Sequence, residues 1–260
     1  VTVSAATHNV TLRDTNTIDL ANIEAGALTV TADGGNITDS GILTVTGTSS
    51  FIASGNNIEL GSANLFTGAV SAAGADITLN DADAIVLGDI DATGNLTVTA
   101  VGAITDSTGG AATDNVDVAG VTSLSGDTIA LDNTTNDFDN DNTGDVVNVT
   151  ATDTTTAAVT INLADIDAIA LGTITAAAGT ALQVTAGGAI SDTVAITTSN
   201  GIATFQTESA DGSAAITLDN GHAFSSVTFD TDTGGDGNHA NVTYIGTVDT
   251  DLVNVNAQDV

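Results

Sequence analysis

Apolar and polar residues alternate in short runs along almost the whole chain. Residues 28–32 and 96–100 both have the sequence LTVTA, in which Leu and Val are separated by Thr. Alternation with a period of two places apolar side chains on one face of an extended segment and polar ones on the other. Gly, Asn or Asp follows each run, and these residues favour turns. The pattern therefore predicts many short β-strands joined by tight turns.

A longer unit of sequence is repeated. Residues 77–107 have close counterparts at residues 10–40 and 161–193, and a further copy begins at Val242. No linker-like segment separates the copies, which is typical of arrays whose units pack on their neighbours. We therefore predict one continuous repeat array over residues 1–260. The predicted copies span residues 10–76, 77–160, 161–241 and, in part, 242–260.

The second half of each copy carries a looser motif, I-x-L followed by a turn and Phe. Phe66, Phe138 and Phe224 occupy equivalent positions in this motif, with polar residues close by. Such alternation directs the rings inward, so we expect stacked core residues and no outward aromatic row. The predicted structural core stack consists of Leu79, Leu87, Leu163, Leu171, Phe66, Phe138 and Phe224.

Two architectures fit short strands that recur every eight to ten residues or so. One is a β-solenoid, in which each turn of the chain stacks on the last; the other is a row of tandem small β-sandwich domains. The strands are short for a sandwich, and the chain has no Trp, Pro or Cys. We therefore predict an all-β, right-handed parallel β-helix with coils of about 20 residues, which gives roughly twelve coils.

The charge of the chain is one-sided. There are 33 acidic residues against a single base, Arg13, so the net charge is −32. Proteins that bind nucleic acid place Lys and Arg on the phosphates, and this chain has no Lys, so nucleic acid is excluded as a direct partner. No apolar run is long enough to predict a membrane span. Cations are the natural counterions of such a chain.

Two acidic loops are candidates for Ca²⁺ binding, because Ca²⁺ takes six to eight oxygen ligands and Asp recurs at alternate positions in both loops. No bidentate Glu follows the first loop, and the second resembles a glycine-rich calcium repeat that occurs only once here. Solvated acidic loops remain the alternative interpretation. The candidate ligands are Asp137, Asp139, Asp141 and Asp145 in the first loop, and Asp230, Asp232 and Asp236 in the second.

Two recurring carboxylate pairs, Asp81 with Asp83 and Asp165 with Asp167, have the form of a glycosidase diad. A sugar cleft also uses outward aromatic rings and basic side chains, and neither is available here. We therefore interpret these residues as turn caps that recur because the turn recurs. No nucleophile–His–acid arrangement or nucleotide-binding motif is visible. The sequence predicts no catalytic residue, no enzyme activity and no cofactor other than Ca²⁺.

Three motifs of the repeat point to a known family. They are ITLDN-x-x-x-F at residues 216–224, LTVTA at Leu96–Ala100, and GAI[ST]D[ST] at residues 102–107. The repeat resembles those of giant bacterial surface proteins of the filamentous-haemagglutinin type. The resemblance implies a right-handed parallel β-helix in an extracellular adhesin or fibre stalk on the bacterial cell surface.

These observations predict a structural extracellular β-solenoid, as a segment or subunit of a surface filament, adhesin or biofilm matrix. Its expected partners are copies of itself, by end-to-end or lateral assembly, and glycans or cell surfaces. The first alternative is a β-helix module that binds or acts on carbohydrate. A minor alternative is an ice-binding solenoid, suggested by the T-x-T units at residues 29–31, 44–46 and 97–99.

Overall fold

The chain folds as a parallel β-solenoid of about 11 turns, with 57% of its residues in strands. No helix occurs in the part of the chain that the structure describes, so nothing helical there could cross a membrane. The computed structural model describes residues 1–107, 115–153, 159–196, 198, 201–208, 212–235 and 237–258.

The described residues form 27 strands, most of them short. The first ten are β1 (Val3–Ala5), β2 (Val10–Asp14), β3 (Ile18–Leu20), β4 (Ile23–Ala25), β5 (Leu28–Ala32), β6 (Ile37–Asp39), β7 (Leu43–Val45), β8 (Ser49–Ile52), β9 (Ile58–Phe66) and β10 (Val70–Gly74). The next eight are β11 (Ile77–Asp81), β12 (Ile85–Ala92), β13 (Leu96–Ala100), β14 (Ile104–Asp106), β15 (Val116–Val118), β16 (Thr122–Gly126), β17 (Ile129–Leu131) and β18 (Val146–Ala151). The last nine are β19 (Thr160–Asp165), β20 (Ile169–Thr175), β21 (Ala181–Ala186), β22 (Ile190–Asp192), β23 (Gly201–Thr207), β24 (Ile216–His222), β25 (Phe224–Asp230), β26 (Val242–Gly246) and β27 (Asp251–Asn256).

The strands form two long sheets, of 14 and 13 strands, that run the length of the solenoid. One sheet follows the order β1-β4-β7-β9-β11-β13-β16-β18-β20-β22-β24-β26, with β3 and β6 joined to its side. The other follows β2-β5-β8-β10-β12-β14-β17-β19-β21-β23-β25-β27, with β15 beside β12. Pairing among the described strands is parallel, as between β11 and β13. The parallel ladder confirms the predicted solenoid and contradicts tandem β-sandwiches, whose sheets are antiparallel.

The register stacks similar residues from coil to coil. Ile18 lies opposite Ile37, Ile37 opposite Ile58, and Ile58 opposite Ile77. Coil length varies, however. Hydrogen bonds between successive coils join residues 19 positions apart at Asn36, but 27 positions apart at Asp219. Loops absorb the difference at the corners, so the core strands keep their alignment.

The core is built from these stacked aliphatic columns and a few rings. All seven residues of the expected core stack are buried, from Leu79 at 0% exposure to Phe66 at 3%. Phe51 packs edge-on against Phe66 at 6.0 Å, and the repeat-equivalent pair Phe205 and Phe224 lies 5.9 Å apart. Each Phe of the chain is buried, and the single tyrosine, Tyr244, is half-buried against the core.

Glycines lie where one coil passes closest to the next. A methyl carbon added at Gly41 would lie 1.7 Å from the carbonyl oxygen of Ala21, and one at Gly187 would lie 2.1 Å from the carbonyl oxygen of Ile166. Gly61, by contrast, faces open space. Close stacking at these corners therefore depends on the absence of a side chain.

The three T-x-T units do not stack on one another. Thr29 lies on β5 in the 13-stranded sheet, whereas Thr44 and Thr97 lie on β7 and β13 in the 14-stranded sheet, several coils apart. An ice-binding surface of this kind would need the units in one continuous row. The fold does not supply that row from these residues.

Candidate functional site

Two buried aspartates cap equivalent turns and also tie one coil to the next. Asp81 accepts hydrogen bonds from the backbone N–H of Asp83 at 2.8 Å and of Phe66 at 2.9 Å. Asp165 accepts equivalent bonds from Asp167 at 2.8 Å and Phe138 at 3.0 Å. The bond within the turn agrees with the interpretation from sequence. The bond to the buried Phe was missed, because it joins residues 15 and 27 positions apart.

Burial dominates the electrostatics of these caps. It raises the pKa of the Asp81 carboxyl, although two backbone N–H groups favour the charged form. It raises the pKa of Asp165 to about 7, with Asp167 and Asp137 adding further repulsion. Both residues are almost fully buried, at 0% and 3% exposure. Both carboxyls are therefore held inside the coil, although Asp81 also lines a pocket of about 220 Å³ together with Asp83.

A second buried polar pair recurs at another corner. Asn64 donates from Nδ2 to Asp39 at 2.7 Å, and its Oδ1 accepts the N–H of Leu43 at 2.8 Å. In the next copy, Asn136 donates to Asp106 at 3.0 Å, and its Oδ1 accepts the N–H of Val116 at 2.9 Å. Both Asn side chains are at 0% exposure, so their hydrogen bonds replace those lost from water.

The third copy places a histidine in this role. Nδ1 of His222 accepts the backbone N–H of Ile196 at 3.0 Å, and Nε2 lies 3.2 Å from Oδ2 of Asp192. Each of these corner residues lies two positions before a core Phe, here Phe224. This position was not singled out from sequence, although aligning the copies on that Phe reveals it.

Aspartates from successive coils form a column on the 13-stranded sheet side. Asp91 lies in register with Asp117, and Asp117 with Asp137. We call these three residues the acidic column. Like charges directly opposite each other destabilise a sheet. Burial, and then repulsion from Asp137 and Asp91, raise the pKa of Asp117 to about 6. Burial also raises the pKa of Asp137, where the largest repulsion comes from Asp167.

The structure separates the four predicted Ca²⁺ ligands of the first loop into two groups. Asp139, Asp141 and Asp145 each present an oxygen within 4.8 Å of the others, whereas Asp137 groups with Asp165 and Asp167 of the next coil. Hydrogen bonds inside the loop already occupy several of these oxygens. Asp139, for example, accepts the N–H of Gly144 at 2.8 Å. Three partly engaged carboxylates fall short of the six to eight oxygens that Ca²⁺ takes. Ca²⁺ binding here stays a prediction.

The second predicted Ca²⁺ loop is held by its own hydrogen bonds. Asp230 accepts from the N–H of Asp232 at 3.2 Å and from Nδ2 of Asn256 at 2.8 Å. Asp232 accepts from the N–H of Gly237 at 3.0 Å. Asp236 lies outside the described residues. Among the described residues, Asp230 and Asp232 are not part of a group of three metal-ligand side chains.

On the 14-stranded sheet, the outer face of β13, β16 and β18 carries hydroxyls and an amide instead of charges. Thr97 lies opposite Ser123, and Thr99 opposite Ser125, which in turn faces Thr150. A shallow groove of about 220 Å³ runs between these side chains. This face offers hydrogen-bonding groups without charge, which distinguishes it from the acidic column.

Three segments of the chain match one family of repeats. The family described as "Repeats of unknown function (DUF5649)" matches three segments, at residues 7–73, 74–145 and 156–230. The chain belongs to this repeat family. Comparisons with curated proteins and with solved structures returned no match.

The buried corner pairs lie one in each matched segment of the DUF5649 repeats. Asp39 with Asn64 falls in the first segment, Asp106 with Asn136 in the second, and Asp192 with His222 in the third. In each pair, the Asn or His side chain accepts a hydrogen bond from a backbone N–H of another coil. In this chain, the recurring polar groups therefore serve the construction of the coil.

The cap at Asp81 gives the first testable prediction. Asp81→Ala leaves the N–H groups of Asp83 and buried Phe66 without their acceptor, so we expect a loss of about 2 kcal/mol in the free energy of unfolding. Urea denaturation measures the change. The control is Asp83→Ala, which removes an exposed carboxylate from the same turn. Equal losses in the two variants would contradict the capping role.

Proposed function

We propose that the chain is a structural, non-enzymatic segment of a bacterial surface fibre or adhesin, and that it acts as a stiff extracellular spacer. The observation that carries the proposal is the unbroken parallel ladder, with stacked core columns, through about 11 turns. At about 4.8 Å per coil, these turns give a rod of roughly 50 Å. The resemblance to filamentous-haemagglutinin repeats supports the extracellular location.

The placement of the chemically capable side chains favours this proposal over the carbohydrate module. Sugar sites commonly use exposed rings, but every Phe is buried. The carboxylate pairs that have the form of a hydrolase diad instead hold backbone N–H groups, as Asp165 does for Phe138. The side chains that would be needed for catalysis are thus already engaged in holding the coils together.

The ends of the two sheets supply a surface for association. β26 and β27 each have a neighbouring strand on one side only, and they expose Ile245, Leu252 and Val253 at 49%, 49% and 64%. A strand edge with unpaired N–H and C=O groups accepts another strand, and exposed apolar side chains add to that contact. We propose that another coil of the same kind covers this edge, either a further repeat of the same protein or a second copy of this chain that stacks end to end.

Axial stacking predicts association that depends on both concentration and salt. A net charge of −32 makes two rods repel, and added salt screens that repulsion. We expect sedimentation velocity to show monomers at low salt and end-to-end oligomers at high protein concentration with NaCl or CaCl₂. Ca²⁺ that outperforms NaCl at equal ionic strength would indicate specific cation binding in addition to screening.

A pair of matched variants locates the contact. Val253→Asp adds a charge on the last strand, whereas Val101→Asp adds the same charge at a turn in mid-rod, where Val101 is 67% exposed. We expect only Val253→Asp to reduce association. A wild-type chain that stays monomeric at high concentration in both salts would overturn the stacking proposal.

A further inference from the structure

The same buried corner position holds Asn in two repeats and His in the third. In each repeat the side chain accepts one backbone N–H and approaches one aspartate, as described above for Asn64, Asn136 and His222. Because Ile196 donates to Nδ1, that nitrogen carries no proton and the neutral ring is protonated at Nε2, which lies 3.2 Å from Oδ2 of Asp192 without a well-aligned hydrogen bond. An Asn side chain performs this role at any pH, but an imidazole performs it only while it is neutral.

We propose that His222 is an acid-sensitive latch, which opens the C-terminal coils of the third repeat under mildly acidic conditions while the coils of the two Asn repeats stay closed. Protonation would place a proton on Nδ1, facing the N–H of Ile196, and would remove the acceptor of this backbone group. The proposal concerns regulation of the rod and is independent of its axial assembly.

The surroundings of the ring oppose its protonation. The side chain is at 0% exposure and packs beside two rings that also contact each other, Phe224 at 5.8 Å and Tyr244 at 6.0 Å. Asp192 on β22 and Asp219 on the same strand as His222 are the carboxylates that act on it, and Tyr244 on β26 brings a phenol. Burial lowers the pKa of His222, and this effect outweighs the opposing attraction of Asp192.

The direction of the pH effect follows from that shift. The folded state binds the proton less readily than the unfolded chain, whose His pKa is about 6.5. The stabilising effect of neutral His222 is therefore fully present above about pH 6.5 and is lost as the pH falls through the lower pKa of the folded state. Complete burial also keeps substrates away from the ring, which excludes a role as a general base for an external molecule.

The opening should remain local. β24, which ends at His222, pairs only with its neighbours β22 and β26, and the carbonyl of His222 accepts hydrogen bonds from the N–H and the hydroxyl of Thr247. In a solenoid each coil contacts only the coils next to it, so local unfolding does not need to spread through the rod. The segment released by acid would be β22 to β27.

Hydrogen–deuterium exchange of the whole chain tests the latch, with rates corrected for intrinsic pH dependence. Between about pH 7.5 and about pH 5, we expect the opening equilibrium of β24 and β26 to rise about tenfold, with no such change at the Asn64 and Asn136 coils. His222→Asn should abolish the rise, because it installs the side chain of the other repeats. Asn136→His should create an acid-sensitive opening at the middle repeat.

The test compares the pH dependence of opening and not the absolute stability, since Asn is smaller than His and packs less fully against Phe224 and Tyr244. Equal pH dependence in wild type and His222→Asn would overturn the proposal. If that variant does not fold, NMR titration of the wild-type ring provides the decision. We expect His222 to titrate below about 6.5, the ordinary value for an imidazole in water, and a pKa of His222 at or above that value would refute the latch.

Discussion

Replacement of Gly41 by alanine is expected to destabilise the N-terminal coils by about 3 kcal/mol or more, the largest effect of any single methyl group in the rod. The added carbon would lie 1.7 Å from the carbonyl oxygen of Ala21 and 2.6 Å from Oδ1 of Asn22. Rotation of a side chain cannot relieve the first contact, because the carbonyl belongs to the backbone. The two coils must therefore move apart at this corner.

Separation of the coils would break bonds on either side of the contact. Ile42 donates its N–H to Oδ1 of Asn22 at 3.2 Å, and its carbonyl accepts the N–H of Ile23 at 3.2 Å. Urea denaturation, with circular dichroism of the strands as the signal, measures the loss. Gly61→Ala is the matched control, since its methyl group meets nothing within 4 Å. Similar denaturation midpoints for the two variants would contradict the close-approach argument.

Acidification from about pH 8 to about pH 5 is expected to stabilise the middle of the rod by on the order of 3 kcal/mol. The pKa values of Asp165 and Asp117 are raised to about 7 and about 6. A carboxyl whose folded pKa exceeds its unfolded value contributes stability that is fully present below the unfolded pKa, about 3.9, and is lost as the pH rises through the folded pKa. Asp165 therefore contributes most.

Thermal unfolding across this pH range, at constant ionic strength, measures the effect. Asp165→Asn should flatten the dependence of melting temperature on pH, because it removes the buried group that titrates. The same change weakens the cap, since Asn supplies one acceptor oxygen where the carboxylate supplies two. Asp83→Asn, at an exposed position in the equivalent turn, serves as the control and should keep the wild-type slope. A melting temperature that falls steadily from pH 8 to pH 5 would show that the buried carboxyls do not govern stability. Below about pH 6.5, His222 acts in the opposite direction at the C-terminal coils.

The repeat made the fold and its core predictable from the sequence. Period-two alternation located the inward residues, and the recurrence of Phe66, Phe138 and Phe224 identified one core layer. The corner pairs were harder to recognise because their partners lie in different coils. Asn64 looks like one of many turn residues until the copies are aligned on the Phe that follows. In that alignment, His222 stands where the other copies have Asn.

The acidic column could not be predicted, because it depends on the register in which successive coils pair. The sequence groups Asp137 with Asp139 and Asp141 in one loop, but the fold sets Asp137 opposite Asp117 and beside Asp167. Coils of unequal length shift the alignment of outward residues without changing the alternation. Contacts between outward side chains are thus determined by loop lengths that the hydrophobic pattern does not reveal.

Neighbour-only pairing also determines how the molecule would respond to force. Tension applied along the rod from one end acts on the terminal coil first, since no strand ties that coil to any coil beyond the next. Paired residues lie 18 positions apart at Val10 and Leu28 but 32 positions apart at Ile129 and Ile161, so each coil that detaches frees roughly 60–105 Å of extended chain from a layer about 4.8 Å thick. Each released coil thus becomes more than ten times as long as the layer that it occupied, and we expect the rod to extend under load in steps of one coil.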